Sequence, residues 1–358
     1  MTAGAGLSRP VRRIGVLRGG GLGDLVFAVP ALRALAARFG DAELVVIGHS
    51  WQAGVVGTPR GPVDRVIDLP KPVVEWLAGG PQPPRLDALV AQLEGRFDLL
   101  VQLHGGGARS NVLLRRLGAG RAIGLQAPGA PPLDATTPYR YWQSEVMRDL
   151  EVVSLVGAEA VEIEPRLTPT AADVVAGRRI LDDADAHDGR SVDGPLVILA
   201  PGATDGRRRW PPERFGEVAA ALSSEGYRPI VIGTAPEAAL AEAVVSVAPE
   251  TADLTGRLTL PELAGLLCDS ALIVGNDSGP LHLAAAVGTP AVGLFWCGNL
   301  INAGRAFRAR YHPLLSWRLE CIVCGANTMT DRCGHDASFV ADIETTTVLD
   351  AARDLLAA

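Results

Sequence analysis

The sequence predicts an α/β protein of two doubly wound domains, each built on a parallel sheet. Three observations carry this. Short apolar runs alternate with segments of helical periodicity. That alternation stops at an acidic stretch near residue 190 and then begins again. The length of 358 residues suits two domains at roughly 100–200 residues each.

The first half opens with the strand Arg13–Arg18, which stops at the glycine turn Gly19-Gly-Gly-Leu-Gly-Asp24. An apolar periodic stretch from Leu25 to Phe39 follows as helix. Glu43–Gly48 and Val63–Leu69 read as strands, Leu86–Arg96 as helix, Asp98–Leu103 as strand and Ser110–Leu117 as helix leading to Arg121–Gly124. A Pro- and Gly-rich loop is expected over Ala127–Pro138, then helices over Tyr141–Val156 and Ala171–Asp185. The acidic segment from Asp182 to Gly194 reads as a linker. The expected division is therefore 1–180 for the N-terminal domain, 181–194 for the linker and 195–358 for the C-terminal domain. The last helix is left free to pack back on the N-terminal domain.

In the second half Leu196–Ala200 is a strand, Pro211–Glu225 a helix, Pro229–Gly233 a strand and Ala235–Val247 a helix. Leu260–Leu267 is helical, Ala271–Gly275 a strand, Gly279–Val287 a helix and Pro290–Phe295 a strand. Two such domains place ligands at the carboxyl ends of their strands, in a cleft between the domains.

Composition narrows the function. Apolar residues make up 48% and charged residues 20%, enough to bury a large core. A net charge of −7 argues against a nucleic-acid binder or a basic membrane-surface protein. No apolar run reaches the ~20 residues of a membrane span. Met1–Arg13 lacks a signal-peptide core and reads as a short disordered leader. Five cysteines argue against a secreted disulfide scaffold, leaving cytoplasm as the expected compartment. Lys71 is the only lysine, so any phosphate site must use arginine or backbone N–H groups.

The turn Gly19–Asp24 fails as a dinucleotide fingerprint, because Asp24 stands where a third glycine is needed, and no Gly-Lys exists for a P-loop. Asp24 then has two readings: a cap at a helix N-terminus, or a general base for a hydroxyl nucleophile. Pro201-Gly-Ala-Thr-Asp-Gly-Arg-Arg-Arg-Trp-Pro211 puts three arginines in a loop at a strand end, which suits a polyphosphate. Gly275-Asn-Asp-Ser-Gly279 ends another strand before a helix whose free N–H groups form an anion site, with His282 one turn in. A lone helical histidine such as His282 is more often a packed core residue than a catalyst. His104-Gly-Gly-Gly107 resembles a lipase oxyanion loop, but no G-x-S-x-G elbow accompanies it. Cys321-x-x-Cys324 with Cys333 and His335 supplies four candidate zinc ligands at irregular spacing, and unlinked or packing thiols are the preferred reading.

Together these residues resemble glycosyltransferase family 9, the ADP-heptose:lipopolysaccharide heptosyltransferases. The likeness rests on Gly-Leu-Gly-Asp24 with Pro30-Ala-Leu32, on Asp98-Leu-Leu-Val-Gln-Leu-His-Gly105 with Arg109-Ser110, and on the two C-terminal motifs above. It covers nearly the whole chain, in order. The resemblance implies a GT-B fold of two Rossmann-like domains and inverting, metal-independent transfer of heptose or a related sugar from an ADP-sugar. Asp24 matches the catalytic base, with Gly23, His104 and Arg109 on the acceptor side. Thr204, Arg208, Arg209, Glu237, Leu258, Asp277, Ser278, Gly279 and His282 match the donor side. Arg208 stands where the family commonly has lysine. Glu237 would hold the ribose and Leu258 would touch the base. No cofactor or metal is implied beyond the nucleotide-sugar cosubstrate. The acceptor is a glycolipid or a small molecule, and peripheral association with the inner membrane face is left open. A nucleotide-sugar epimerase and a non-catalytic nucleotide-sugar binder are the competing readings; the first would consume donor with no acceptor present.

Overall fold

A computed structural model describes residues 9–84, 86–188, 194–305 and 309–358. The chain divides into two compact units, 1–167 and 168–358. Each is a six-stranded parallel sheet with helices between its strands.

The first unit contains β1 (Arg13–Leu17), β2 (Glu43–Gly48), β3 (Arg65–Asp68), β4 (Phe97–Gln102), β5 (Ala119–Gln126) and β6 (Ala135–Pro138) in the order β3-β2-β1-β4-β5-β6. The central strands are apolar along their length because helices cover both faces of the sheet. Val16 of β1 lies beside Val46 on one side and Val101 on the other, all three fully buried. The second unit repeats this order with β7 (Leu196–Ala200), β8 (Arg228–Val231), β9 (Ala252–Asp253), β10 (Leu272–Asn276), β11 (Ala291–Trp296) and β12 (Tyr311–Ser316), arranged β12-β11-β10-β7-β8-β9.

Both sheets reverse their strand order beside the first strand, at β1/β4 and at β7/β10. Loops leaving such neighbours run in opposite directions, which opens a crevice at their carboxyl ends. The glycine turn and His104 follow β1 and β4. The arginine loop and Asp277 follow β7 and β10.

Two expectations are corrected, and the last helix finds its place. The loop expected over Ala127–Pro138 contains β6, an edge strand. Its terminal Pro138 needs no outer partner there, and Asp134 anchors its start by accepting the Ala122 N–H at 2.6 Å. The acidic segment is not a connector throughout. Its first part completes the helix Ala171–Asp188, which packs on helix Leu260–Cys268 and is tied by Arg178 to Asp269. Residues 189–193 of that segment lie outside the described ones, as do residues 1–8 of the expected leader. The last helix, Thr345–Leu356, stays in the second unit. Val348, Ala351 and Ala352 pack there with Trp210 and Phe215, giving the helix its apolar partner.

Candidate functional site

At the β1/β4 switch point the chain builds a charged cluster around Arg18. Gly20 takes φ +94°, which lets the turn fold back over the helix Leu22–Arg38. Asp24, in the first turn of that helix, accepts the Gly21 N–H on Oδ2 at 2.7 Å. The capping reading of Asp24 is thus realised through one carboxylate oxygen. Its other oxygen lies 3.6 Å from the Arg18 guanidinium, and the side chain is 48% exposed, so it can be reached from solvent.

Arg18 itself is buried. It donates through Nε and Nη2 to the Asp24 carbonyl at 2.9 and 2.7 Å, and through Nη1 to the Leu103 carbonyl. Glu145 stands 3.6 Å away and also pairs with Arg148 at 2.5 Å. Burial works against the charge on Arg18, but Asp149, Asp24 and Glu145 outweigh it and hold the guanidinium above its ordinary value. Two cations therefore face three carboxylates.

The surplus falls on Asp149. Buried, with no hydrogen-bond donor to either oxygen among the described residues, it is pushed up to about 7 by desolvation, against the pull of Arg18. A carboxyl raised this way binds its proton more tightly folded than unfolded. Its contribution to stability is therefore present below about pH 4 and lost as pH rises through about 7. Replacing Asp149 by Asn should relieve that loss. Its stability advantage over the parent is expected to be about 2–3 kcal/mol greater at pH 8 than at pH 5. Denaturant melts at the two pH values would measure it, and a pH-independent difference would contradict the buried-proton account.

His104 lies against Gly19, and burial followed by Arg18 lowers its pKa, so the ring is neutral at neutral pH. Arg109, expected on the acceptor side, donates instead to the carbonyls of Trp76 and Gly80 and lies 5.9 Å over the Trp76 ring. Its guanidinium caps the helix Lys71–Leu77.

The second unit builds a cationic site at β7/β10. Asn276 is fully buried and ties the two strand ends together. Its amide donates to the Pro201 carbonyl at 2.8 Å and its oxygen accepts the Trp210 N–H at 3.0 Å. The three arginines then part company. Arg207 is spent on Asp205, which it holds down to about 2, and stacks over Phe339. Arg209 donates to the Ala203 carbonyl at 2.9 Å. Arg208 reaches across to Asp277, donating to its carbonyl at 3.1 Å and its carboxylate at 3.2 Å, and remains partly exposed.

Asp277 is almost wholly buried. His282 Nε2 lies 2.9 Å from its Oδ1, and Asn299 donates to Oδ2 at 2.7 Å. Burial would raise its pKa, but His282, Arg208 and Asn299 outweigh that and keep it below the usual carboxylate range. The carboxylate that the resemblance directs to a sugar is thus engaged by protein groups on both oxygens. His282 is both packed and hydrogen-bonded. Asn299 was missed by sequence reasoning, because it lies on the short helix Cys297–Ala303, outside any quoted motif.

Beside Asp277, Ser278 starts the helix Gly279–Val287, whose first N–H groups have no carbonyl above them. The buried Ser278 Oγ has no hydrogen-bond partner among the described residues. Glu237, just past β8, lies against Gly202 and caps its own turn by accepting from the Thr234 N–H and hydroxyl, both at 2.8 Å. An acid at the end of the second strand is where doubly wound sheets hold a ribose. Thr204 is exposed and Leu258 half-buried at the same end of the sheet.

One further group gathers in the second unit, its cysteines unlinked as expected. Cys321, Cys324, Cys333 and His335, read from sequence as unlinked or packing thiols, come together with one donor atom each within 4.8 Å of the others.

A family model described as glycosyltransferase family 9 (heptosyltransferase) matches residues 87–311, more than half of the chain. The chain is 29% identical over 172 residues to lipopolysaccharide heptosyltransferase 3 of Escherichia coli, covering 44% of this chain and 48% of that protein. It thus spans about half the length of that curated relative. By structure it resembles a glycosyl transferase family 9 protein from Veillonella parvula, with TM-score 0.76, 19% identity and 97% of each chain covered. It also resembles the E. coli ADP-heptose lps heptosyltransferase II, with TM-score 0.72, 19% identity, and 96% and 98% covered. The fold is therefore the expected one, two doubly wound units of the GT-B class.

Proposed function

The chain belongs to glycosyltransferase family 9, and from that premise we propose that it transfers a heptose or related sugar from an ADP-sugar to an acceptor hydroxyl with inversion. What carries the reading is the pairing, at β7/β10, of a partly exposed Arg208 with the open N–H groups of a helix N-terminus. Together they meet a diphosphate with fixed dipoles and a guanidinium, and the same groups stabilise charge as that diphosphate departs. Asp277 orients Arg208, and Glu237 takes the ribose hydroxyls. Leu258 packs on the base, and Thr204 and Arg209 shape the loop.

Inversion needs the acceptor hydroxyl deprotonated on the face opposite the leaving group. Asp24 does this through Oδ1, with Oδ2 held by the Gly21 N–H. Its assignment rests on the resemblance, since the family match begins at residue 87. On this reading Gly23 lies on the acceptor side beside it, and neutral His104 hydrogen-bonds the acceptor. No metal takes part in the transfer step, because Arg208 and the backbone supply the positive potential. A glycolipid of lipopolysaccharide type is the expected acceptor. Among the described residues no helix is long and apolar enough to cross a membrane.

The test is incubation with ADP-heptose, with and without a lipopolysaccharide-core acceptor, following ADP release and the sugar product. Acceptor-dependent ADP release with a heptosylated product supports the reading. An isomerised donor formed without acceptor would replace transferase by epimerase. Binding of ADP-heptose without turnover under any acceptor would leave a nucleotide-sugar binder. A thermal-shift panel of ADP, UDP, GDP and the dTDP nucleotide checks the base, a ligand at 100 times its Kd adding about 2.7 kcal/mol.

A further inference from the structure

Between β12 and the last helix, residues 317–344 contain no helix and a single isolated bridge, Glu320 with Asn327. Connections this long without regular structure are uncommon in compact units. Apolar burial is not what orders the tip, because Trp317, Ile322 and Val323 are 73%, 64% and 60% exposed. What the segment gathers is three thiols and an imidazole.

The donor atoms of Cys321, Cys324, Cys333 and His335 lie within 4.8 Å of one another, with Cys321 Sγ 3.8 Å from His335 Nδ1. A tetrahedral site with metal–sulfur bonds of about 2.3 Å has edges of about 3.8 Å. The turn Cys321-Ile-Val-Cys324-Gly325 is built for one corner of it. Gly325 adopts φ +70°, its N–H donates to the Cys321 carbonyl at 2.8 Å, and the Cys321 N–H donates to Ala326 at 3.0 Å. All five cysteines are free, and a Cys321–Cys324 disulfide would leave Cys333 and His335 without a role.

We propose that Cys321, Cys324, Cys333 and His335 bind one tetrahedral, thiolate-preferring metal ion of the zinc or iron type, and that the loaded knuckle braces the arginine loop of the second unit. Three sulfurs and one nitrogen close the coordination shell, which is the pattern of a structural rather than a reacting site, and zinc fits it best. Binding releases the thiol protons to solvent as the metal–sulfur bonds form.

The brace is written in the bonds that follow the knuckle. Ser338 Oγ donates to the Arg209 carbonyl at 2.5 Å, the Phe339 N–H donates to the Arg207 carbonyl at 2.7 Å, and Arg332 sits 3.9 Å from Asp205. The Arg207 guanidinium lies 5.2 Å over the Phe339 ring. This half of the proposal rests on the donor reading for its functional meaning, though not for its test.

The whole chain, purified without a polyhistidine tag under reducing conditions, should carry about one zinc or iron ion by elemental mass spectrometry, which also identifies the metal. Cobalt(II) taken up in its place should give the visible absorption of a tetrahedral thiolate complex. Cys324→Ser should lose the ion, while Cys268→Ser, an exposed cysteine outside the cluster, should keep it. Less than roughly 0.2 ion per chain after reconstitution with either metal, or full retention by a folded Cys324→Ser, would overturn the site. Amide exchange at residues 205–210 should be about tenfold faster in the metal-free chain. Equal exchange would overturn the brace and leave the metal site standing. None of these measurements uses a nucleotide, so a failure to bind ADP would count against the donor reading alone.

Discussion

Asp24→Asn is expected to lower kcat for sugar transfer by about 10²–10⁴-fold while leaving ADP affinity within about twofold of the parent. The substitution is chosen to separate the two readings of Asp24. Asn can still accept the Gly21 N–H through its amide oxygen, so the turn and the helix N-terminus should survive intact. What it removes is the charge and basicity of the carboxylate oxygen near Arg18. Single-turnover transfer and ADP titration on the same preparation would measure the split. Unchanged kcat would mean that Asp24 is a cap and nothing more, and the base would have to be sought elsewhere.

Arg208→Ala is expected to weaken ADP binding by about 10–100-fold and to lower kcat by a further 10²-fold or so. Of the three consecutive arginines, Arg207 is held within its own loop by Asp205 and Arg209 by the Ala203 carbonyl, whereas Arg208 leaves the loop for Asp277 at the β10 end and stays partly exposed. Arg208→Lys should recover part of the affinity and less of the rate. An ammonium restores a point charge but not the planar guanidinium, whose Nη1 alone reaches both the Asp277 carbonyl and its carboxylate. Calorimetry with ADP and steady-state kinetics would separate these effects. ADP binding unaffected by Arg208→Ala would remove the cation from the proposed diphosphate site.

The fold was legible because parallel strands buried on both faces are written as unbroken apolar runs, such as Ile14–Leu17 and Leu272–Val274. The edges were less so. β6, with its Ala-Thr-Thr-Pro, and the two-residue β9 carry no apolar run, since an edge strand is only partly covered. The turn residues at β1 and β10 stood out because strand ends beside a glycine turn have few alternatives. The charged cluster did not. Glu145 and Asp149 lie on a helix more than a hundred residues beyond Arg18, and neither has a local pattern that announces burial beside a guanidinium. The Cys–His group was visible as four candidate zinc ligands but not as the preferred reading, because only one C-x-x-C is present and the spacing to His335 is irregular. Only the folding back of residues 325–335 brings the four donors together.

The lone lysine has a practical reach beyond the phosphate argument. Lys71 opens a short helix in the first unit, 88% exposed, with an i,i+4 partner in Glu75. Enzymatic or metabolic acylation of side-chain amines therefore has one target, and it is no part of either switch point. The cations of the proposed diphosphate site are guanidinium groups, inert to that chemistry. The same circumstance offers the experimenter a single side-chain amine for attaching a fluorophore, with the arginine loop left chemically untouched.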